Sequence, residues 1–416
     1  MKPCTASPTL RDVFVGAALA AALSGCSSPA SESSVAGDEA ALTSKCSITD
    51  QAALGAIARI GDVADACAAA PGPNVGQPRG FAHGEYAALA ALSANHRGRD
   101  AFYAVGEAQW VLGKFAYGPL DKDLKGEPVD IHVLRGCSGQ WEKLGTATTT
   151  EEAEHEPVEG VEDTGGRVYF RIPAGKELPV GRHRVRMVVA GDNSTAEQFI
   201  EVLPKGAALF VTDMDGTLTE RKDADPSLAC DEESDFPATL RELSSGDSEP
   251  NVHTGVAAAF HELVKLGYRP LYLTARPEWL VPHTRRFLSE THRGDGRGNL
   301  PQGNIHTTLG MVGAINSAAE AFKKSELQRL VDKGFVVGLG FGNRPSDVAT
   351  YQSFEVPFRY YYENPDTRLR HCSTIADVTA LPESATVPES GDFRIGSYDR
   401  LVPLFGRMGP ACAAPR

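Results

Sequence analysis

The chain has 416 residues, a formal net charge of −13, 42% hydrophobic residues and 23% charged residues. That length exceeds one ordinary core, so two or three units are expected, each with ample apolar material. The acidic balance argues against a general nucleic-acid binder, which needs a basic face to displace counterions, but it leaves room for a local basic pocket for a phosphate.

The first 25 residues read as an address. Lys2 and Arg11 supply positive charge, and Val13 to Leu23 is an apolar run of 11 residues. A bilayer-spanning helix needs roughly 20. The run ends in Leu23-Ser24-Gly25-Cys26, which resembles a bacterial lipoprotein cleavage box and implies lipidation of Cys26. The expected location is the bacterial cell envelope, exported and lipid-anchored, in the periplasm or at the cell surface. A plain secretory signal is the alternative. Eight cysteines occur, and setting aside Cys4 and Cys26 leaves six. An even count in an oxidising compartment suggests disulfides, with 15 connectivities open to six cysteines. Cys46 with Cys67 and Cys372 with Cys412 are the sequence-local pairs. None of the six has the close paired spacing of a zinc site.

Residues 26–45 have linker composition. Leu54, Ile57, Ile60 and Ala64 fall at three- and four-residue steps, predicting a helix over Ser47 to Cys67, and Tyr86 to Ala94 a second short one. Residues 46–100 therefore read as a helical segment. Short strands follow at Trp110 to Tyr117, Val129 to Leu134, Arg167 to Ile172, Arg182 to Val189 and Glu197 to Leu203, predicting a β-sandwich over 101–204. In the clearest of them, Arg182, Arg184 and Arg186 are expected to face water, with His183, Val185, Met187 and Val189 inward. After Pro204 the pattern changes again. Ala207 to Val211 is a continuous apolar strand, as expected where both sheet faces are covered. A helix from Thr254 to Gly267 and strands at Pro270 to Leu273 and Phe335 to Phe341 predict a parallel α/β sheet. This unit is expected over 205–380, with 381–416 as a C-terminal tail.

Ligands in open α/β sheets sit beyond the carboxyl ends of the strands. The first strand ends in Thr212-Asp213-Met214-Asp215-Gly216-Thr217. Two carboxylates so placed can share one pocket: one attacks phosphorus, the other handles a proton, and a hard cation offsets the phosphate charge. A hairpin turn is the simpler reading of Asp-Gly alone. Thr274 ends the next strand. Phe341-Gly342-Asn343-Arg344-Pro345-Ser346-Asp347 ends a third, where Asn343 and Asp347 offer the oxygen ligands that Mg²⁺ prefers. Lys323 or Lys324, in Phe322-Lys323-Lys324-Ser325, can neutralise the nucleophile and the transferred group.

Together these motifs resemble the haloacid dehalogenase superfamily of phosphatases, and more closely its lipin-type phosphatidate phosphatase branch. The residues that carry the resemblance are Asp213-Met-Asp-Gly-Thr-Leu-Thr219, Gly267 to Arg276, Thr284-Arg285, Leu300-Pro-Gln-Gly303, Phe322-Lys323 and Phe341 to Val348. They span about Ala207 to Asn364. The fold class implied is α/β: a haloacid dehalogenase-like parallel-sheet catalytic domain preceded by a β-sandwich, immunoglobulin-like domain and a short helical segment. The resemblance makes Asp213 the nucleophile and Asp215 the general acid and base. Thr274 and Lys323 would hold the phosphoryl group, with Lys324 the alternative to Lys323. Mg²⁺ is the implied cofactor, held by Asp213, Asp215 through its backbone carbonyl, and Asn343, with Asp347 in support. Arg276, Arg285 and Arg344 are candidates for binding the headgroup or bracing the site. The long acidic segment Glu220 to Pro250 matches nothing in that branch.

The function implied is a Mg²⁺-dependent phosphatidate phosphatase acting on a lipid phosphate monoester through an aspartyl-phosphate. Its partners would be phosphatidate or another lipid phosphate and a membrane surface reached through the lipid anchor, with no nucleic acid. A phosphatase for a soluble phosphomonoester, a non-catalytic phosphatidate-sensing module and an adhesin built on the strand-rich domain are the alternatives. Retention of both Asp213 and Asp215 argues against the sensor, which needs neither.

Overall fold

The computed structural model describes residues 48, 51–219, 252–289, 299–310, 317–362 and 390–411. The signal-like segment, Cys26, the linker, Cys46, the Cys372–Cys412 pair and the acidic 220–250 segment lie outside them. None of the described helices is long and apolar enough to cross a membrane.

Helix α1 (Gln51–Ala69) buries Ala53, Ile57, Ile60, Ala64 and Cys67, the single stripe that steps of three and four residues place on one face. A short helix α2 (Tyr86–Leu89) follows. Ten strands come next: β1 (Arg97–Gly98), β2 (Ala101–Ala104), β3 (Trp110–Lys114), β4 (Ala116–Tyr117), β5 (Lys122–Asp123), β6 (Pro128–Leu134), β7 (Glu142–Thr148), β8 (Arg167–Arg171), β9 (Gly181–Val189) and β10 (Thr195–Leu203). A five-stranded sheet in the order β2-β10-β9-β6-β7 faces a three-stranded sheet β1-β3-β8. Val129, Ile131, Val133, Val185 and Met187 from the first meet Val111 and Val168 from the second. Alternation along each strand supplies these inward residues.

The third part is a six-stranded, wholly parallel sheet in the order β13-β12-β11-β14-β15-β16. Its strands are β11 (Ala208–Thr212), β12 (Arg269–Pro277), β13 (Asn304–Thr308), β14 (Val336–Gly342), β15 (Phe358–Tyr362) and β16 (Gly391–Ile395). Helices α3 (Val256–Lys265), α4 (Val281–Ser289), α5 (Ser317–Asp332), α6 (Pro345–Ser353) and α7 (Leu401–Phe405) accompany it. One face packs Phe210, Tyr272 and Phe341 against Phe260 of α3 and Leu404 and Phe405 of α7. The other packs Leu209, Val211 and Leu271 against Leu327 of α5 and Ile57 and Ile60 of α1. Every residue of β11 is buried, as an apolar run covered on both sides must be.

Several expectations need correction. Residues 391–395 are not a tail: they form the edge strand β16, and Phe393 and Ile395 join the core. Within residues 46–100, α1 packs on the parallel sheet, and Arg97–Gly98 already form strand β1. Cys67 pairs not with Cys46 but with Cys137, at a Cα separation of 4.6 Å. The last turn of α1 faces the short turn after β6, so the bridge ties the helix to the sandwich.

The largest correction concerns the arginines of β9. Arg182 and Arg184 are buried and Arg186 is half-buried, because their face of the sheet is covered by α1 and by the parallel-sheet unit. Arg184 Nη1 donates to the carbonyls of Cys67 and Ala70. Arg182 Nη1 donates to Glu201 Oε1 at 2.6 Å and to Asn304 Oδ1 at 3.1 Å. From β12, Arg269 grips both oxygens of the same Glu201, each at 2.9 Å. Nearby, Glu278 accepts from Arg97 and Arg167, and Asp100 accepts from Arg285. Alternation separated the two faces of the strand correctly but could not say what covered the polar one.

Candidate active site

Three parallel strands deliver the site. Asp213 follows β11 directly, and its backbone N–H extends the ladder to the Phe341 carbonyl at 3.0 Å. Its carboxylate is buried, and Oδ1 accepts from Lys323 Nζ at 3.0 Å. Lys323 projects from α5, itself buried, and donates at 2.5 Å to Asp347 Oδ1 as well. Lys324 is half-buried and points away to Glu320 on its own helix, so Lys323 is the lysine brought to Asp213.

Asp347 holds the loop after β14 with its other oxygen, which accepts the backbone N–H groups of Asn343 and Arg344 at 3.0 and 3.1 Å. Asn343 Oδ1 accepts from Thr217 Oγ1 at 3.0 Å. Two glycines make room for this cluster. A Cβ on Gly342 would lie 2.4 Å from Asp347, and one on Gly216, whose φ is +77°, would lie 2.2 Å from Asn343 Nδ2. A side chain at Gly342 would displace Asp347, and one at Gly216 would be strained by its positive φ and would displace the Asn343 amide.

Asp215 is half-buried and held differently. Arg276 donates Nε–H to Oδ2 at 2.8 Å and Nη2–H to Oδ1 at 2.6 Å, a fork-on-fork pair. Arg276 is anchored in turn by Thr284 Oγ1 at 3.1 Å. Thr274, at the end of the β12 apolar run, is buried, and its Oγ1 accepts the Arg276 backbone N–H at 3.2 Å. Arg344 is half-buried beside Asn343. Arg285 stands elsewhere: it pairs with Asp100 and stacks on Phe199 in the interface between the two units.

Burial pushes the Asp213 carboxyl up to about 7, against the pull of Lys323 and reinforced by Asp347 and Asp215. Burial alone would lower Lys323, but Asp213 and Asp347 hold it above its ordinary value, so it is charged. Three carboxylates thus converge with Lys323 and Arg276. Asp213, Asn343 and the Asp215 carbonyl are all hard oxygen donors. The chemistry of this set, and the Gly216 cradle that brings Asn343 in, fit a hard divalent cation.

Two supporting residues escaped the sequence reading. Tyr398 O–H donates to the Thr217 carbonyl at 2.8 Å, bracing the loop after β11 from a segment 181 residues away. His253, neutral because burial lowers it to about 4, contacts the Gly216 carbonyl at 3.3 Å and stacks on Tyr362. Neither has a local signal, since each acts through a contact distant in sequence.

The sandwich matches the family described as PITM 1-3, beta-sandwich domain, over residues 94–202. Residues 177–380 match LNS2 (Lipin/Ned1/Smp2). Among curated proteins, membrane-associated phosphatidylinositol transfer protein 3 of Homo sapiens is 29% identical over 268 residues, covering 64% of this chain and 23% of that protein. Its Mus musculus counterpart is 31% identical over 223 residues, covering 53% and 19%. Protein retinal degeneration B of Drosophila melanogaster is 26% identical over 263 residues, covering 62% and 17%. The chain therefore spans less than a quarter of the length of these relatives. A superoxide reductase structure aligns at 13% identity with a TM-score of 0.14, over 25% of this chain and 88% of that one, too weak to carry any argument. Residues 177–380 are thus similar to LNS2 (Lipin/Ned1/Smp2), and the stretch before them to the PITM 1-3 beta-sandwich domain.

Proposed function

We propose that this chain is a Mg²⁺-dependent phosphatidate phosphatase of the lipin-type branch, held at a bacterial envelope membrane through a lipid on Cys26. The observation that carries the reading is the contrast between two aspartates in one pocket. Asp213 is buried against Lys323 at 3.0 Å, while Asp215 is half-buried and gripped by Arg276. In the first step an Asp213 oxygen forms a bond to phosphorus as the bond from phosphorus to the lipid oxygen breaks, and Asp215 supplies the proton that oxygen needs. In the second, water attacks phosphorus, Asp215 takes the water's proton, and the acyl-phosphate bond breaks to restore Asp213. Lys323 balances charge on the transferred group, and Thr274 has an O–H to donate to it. Mg²⁺, held by Asp213, the Asp215 carbonyl and Asn343 with Asp347 in support, would offset the negative charge of the phosphate. Arg276 places the acid rather than the headgroup in this arrangement, and Arg344 remains the arginine suited to the substrate.

One observation favours a second reading, a non-catalytic phosphatidate-binding module. Both Asp215 oxygens already accept hydrogen bonds from Arg276, an arrangement that would equally serve to fix the loop after β11 in a protein that performs no chemistry. The relatives are named for lipid transfer, not hydrolysis. A phosphate-release screen with Mg²⁺, across phosphatidate vesicles and soluble phosphomonoesters, separates the possibilities. Release from phosphatidate that stops with chelator and returns with Mg²⁺ is expected. Release only from soluble esters removes the lipid assignment, and release from none leaves the binding module.

A further inference from the structure

Three consecutive carbonyls in the loop after β11, those of Gly216, Thr217 and Leu218, each meet a group from outside the loop. His253 Nε2 lies 3.3 Å from the Gly216 oxygen, Tyr398 O–H donates to that of Thr217 at 2.8 Å, and the His253 backbone N–H donates to that of Leu218 at 2.8 Å. These groups belong to two segments, and a ring stack joins them. Tyr362, the last residue of β15, lies 3.7 Å from His253 and 5.7 Å from Tyr398 between ring centroids. Gly255, whose φ is +85°, lets the segments meet, since a Cβ there would lie 2.5 Å from the Asp399 nitrogen. Tyr398 is fully buried, and its ring packs on Phe260 and Phe341 of the core.

Thr217 links this clamp to the candidate metal donors. It is fully buried, its carbonyl takes the Tyr398 hydroxyl, and its own Oγ1 donates to Asn343 Oδ1 at 3.0 Å. A side-chain amide has an acceptor end and a donor end, and a hydroxyl proton on Oδ1 fixes which end is which. The amide nitrogen then lies against Gly216, where a Cβ would come within 2.2 Å of it. An amide oxygen accepts twice, so Oδ1 keeps a lone pair for a cation beside the one that Thr217 uses. The Asp215 carbonyl stands two residues before Thr217 in the same tight turn, where the Met214 carbonyl accepts the N–H groups of Thr217 and Leu218 at 3.2 and 2.8 Å. A displacement of Thr217 is thus carried to two of the proposed donors at once.

We propose that Tyr398 is a positioning residue for the divalent cation, holding Thr217 so that the Asn343 amide offers its oxygen. The inference rests on the Mg²⁺ donor set of the proposed function. It adds a residue from beyond 177–380, the stretch similar to LNS2. Tyr398 acts through Thr217 and is not itself a donor to the metal. Removing a group that orients a metal ligand changes metal affinity by about 10–100-fold. Tyr398 stands one contact further out than Thr217, so its effect is the smaller of the two.

The test titrates Mn²⁺, a paramagnetic substitute for Mg²⁺, into the full chain and reads the free ion by electron paramagnetic resonance, with Mg²⁺ as competitor. Thr217→Val should weaken binding by ~10–100-fold, and Thr217→Ser, which keeps the hydroxyl, should recover most of it. Tyr398→Phe should weaken binding by ~3–10-fold, and should add little in the Thr217→Val background because both act through one amide. Tyr103→Phe is the control. Its hydroxyl donates to the Trp110 carbonyl at 3.1 Å in the sandwich core, so a similar bond is lost away from the site and Mn²⁺ binding should match wild type. Melting curves establish that each variant is folded. An unchanged isotherm in Tyr398→Phe or in Thr217→Val, an equal weakening in Tyr103→Phe, or a wild type that binds no Mn²⁺ would each overturn the inference. Affinities that shift as described, with no phosphate release from any ester, would sink the phosphatase reading alone and leave Tyr398 its role.

Discussion

Two regions of this molecule bury charged side chains in opposite ways. In the interface between the units, guanidiniums surround each carboxylate. Glu201 sits between Arg182 and Arg269, and Glu278 between Arg97 and Arg167. Burial alone would raise both carboxyls, yet the arginines bring them below their usual range. In the Asp213 pocket carboxylates outnumber cations, and burial carries Asp213 up to about 7 in spite of Lys323. Burial pushes all three carboxyls up, and only where arginines surround the carboxylate is it overcome. The local ratio of charges separates a structural carboxylate, committed to its partners, from the one that the proposed function makes the nucleophile.

The largest expected effects test the reactive side. Asp213→Asn should leave a folded protein whose phosphate release falls by on the order of 10⁴ or more, because an amide does not attack phosphorus. Its denaturation midpoint should match or exceed that of wild type, since the change removes one like charge from a crowded site. A marked loss of stability would place Asp213 with the structural carboxylates and break the comparison. Asp215→Asn should cost on the order of 10²–10⁴ in rate through the missing proton transfer, read as steady-state turnover on the same substrate. Turnover equal to wild type would mean that Arg276 holds Asp215 for structure alone.

The reactive side was the more legible of the two in the sequence. Asp213, Asp215, Thr274, Lys323, Asn343 and Asp347 lie at strand ends or in short motifs, where an apolar run stopping at a polar residue marks the spot. The choice between Lys323 and Lys324 needed the structure, because neighbouring helical positions differ by about 100° and only packing shows which faces in. The interface was illegible for the converse reason. Arg182, Glu201, Arg269 and Arg97 come from four strands, and each looks locally like an ordinary solvated residue on an alternating strand. Strand β16 was hidden too, because Gly391-Asp-Phe-Arg-Ile395 is short and follows a long break from the rest of the sheet. The Cys67–Cys137 bridge lies beyond any local pairing rule, since it depends on where the end of α1 docks.

On the structural side, Glu201→Gln keeps the shape and removes the charge between Arg182 and Arg269, all three side chains being almost fully buried. Two uncompensated guanidiniums should cost about 3–5 kcal/mol, measured by denaturant unfolding of the full chain. Replacing Arg182 with Met in that background should recover part of the loss. If Glu201→Gln proves as stable as wild type, the interface charges are solvated in practice, and their contrast with Asp213 disappears.

The smallest expected effect probes the opposite face of the strand that carries those arginines. His183 is fully buried, accepts the Gly136 N–H at Nδ1 at 3.0 Å, and contacts the Pro179 carbonyl through Nε2 at 2.8 Å. These partners fix the neutral tautomer with its proton on Nε2, because a protonated Nδ1 cannot accept. Burial lowers the residue from 6.5 to about 4, with only partial relief from the Pro179 carbonyl. The folded protein therefore binds fewer protons than the unfolded chain between those values. This contribution to stability is complete above pH 6.5 and is lost as pH falls toward 4, amounting to on the order of 2–3 kcal/mol. Its direction matches that of a depressed carboxyl, but its window lies higher, because an unfolded histidine takes up its proton well before an unfolded glutamate. Unfolding midpoints at pH 7 and pH 5 should therefore differ less in His183→Gln than in wild type. His96 and His253 are retained in both proteins and cancel in the comparison. An equal pH dependence in the two would show that His183 is protonated without penalty, and that this face of β9 admits water much as the arginine face was first expected to.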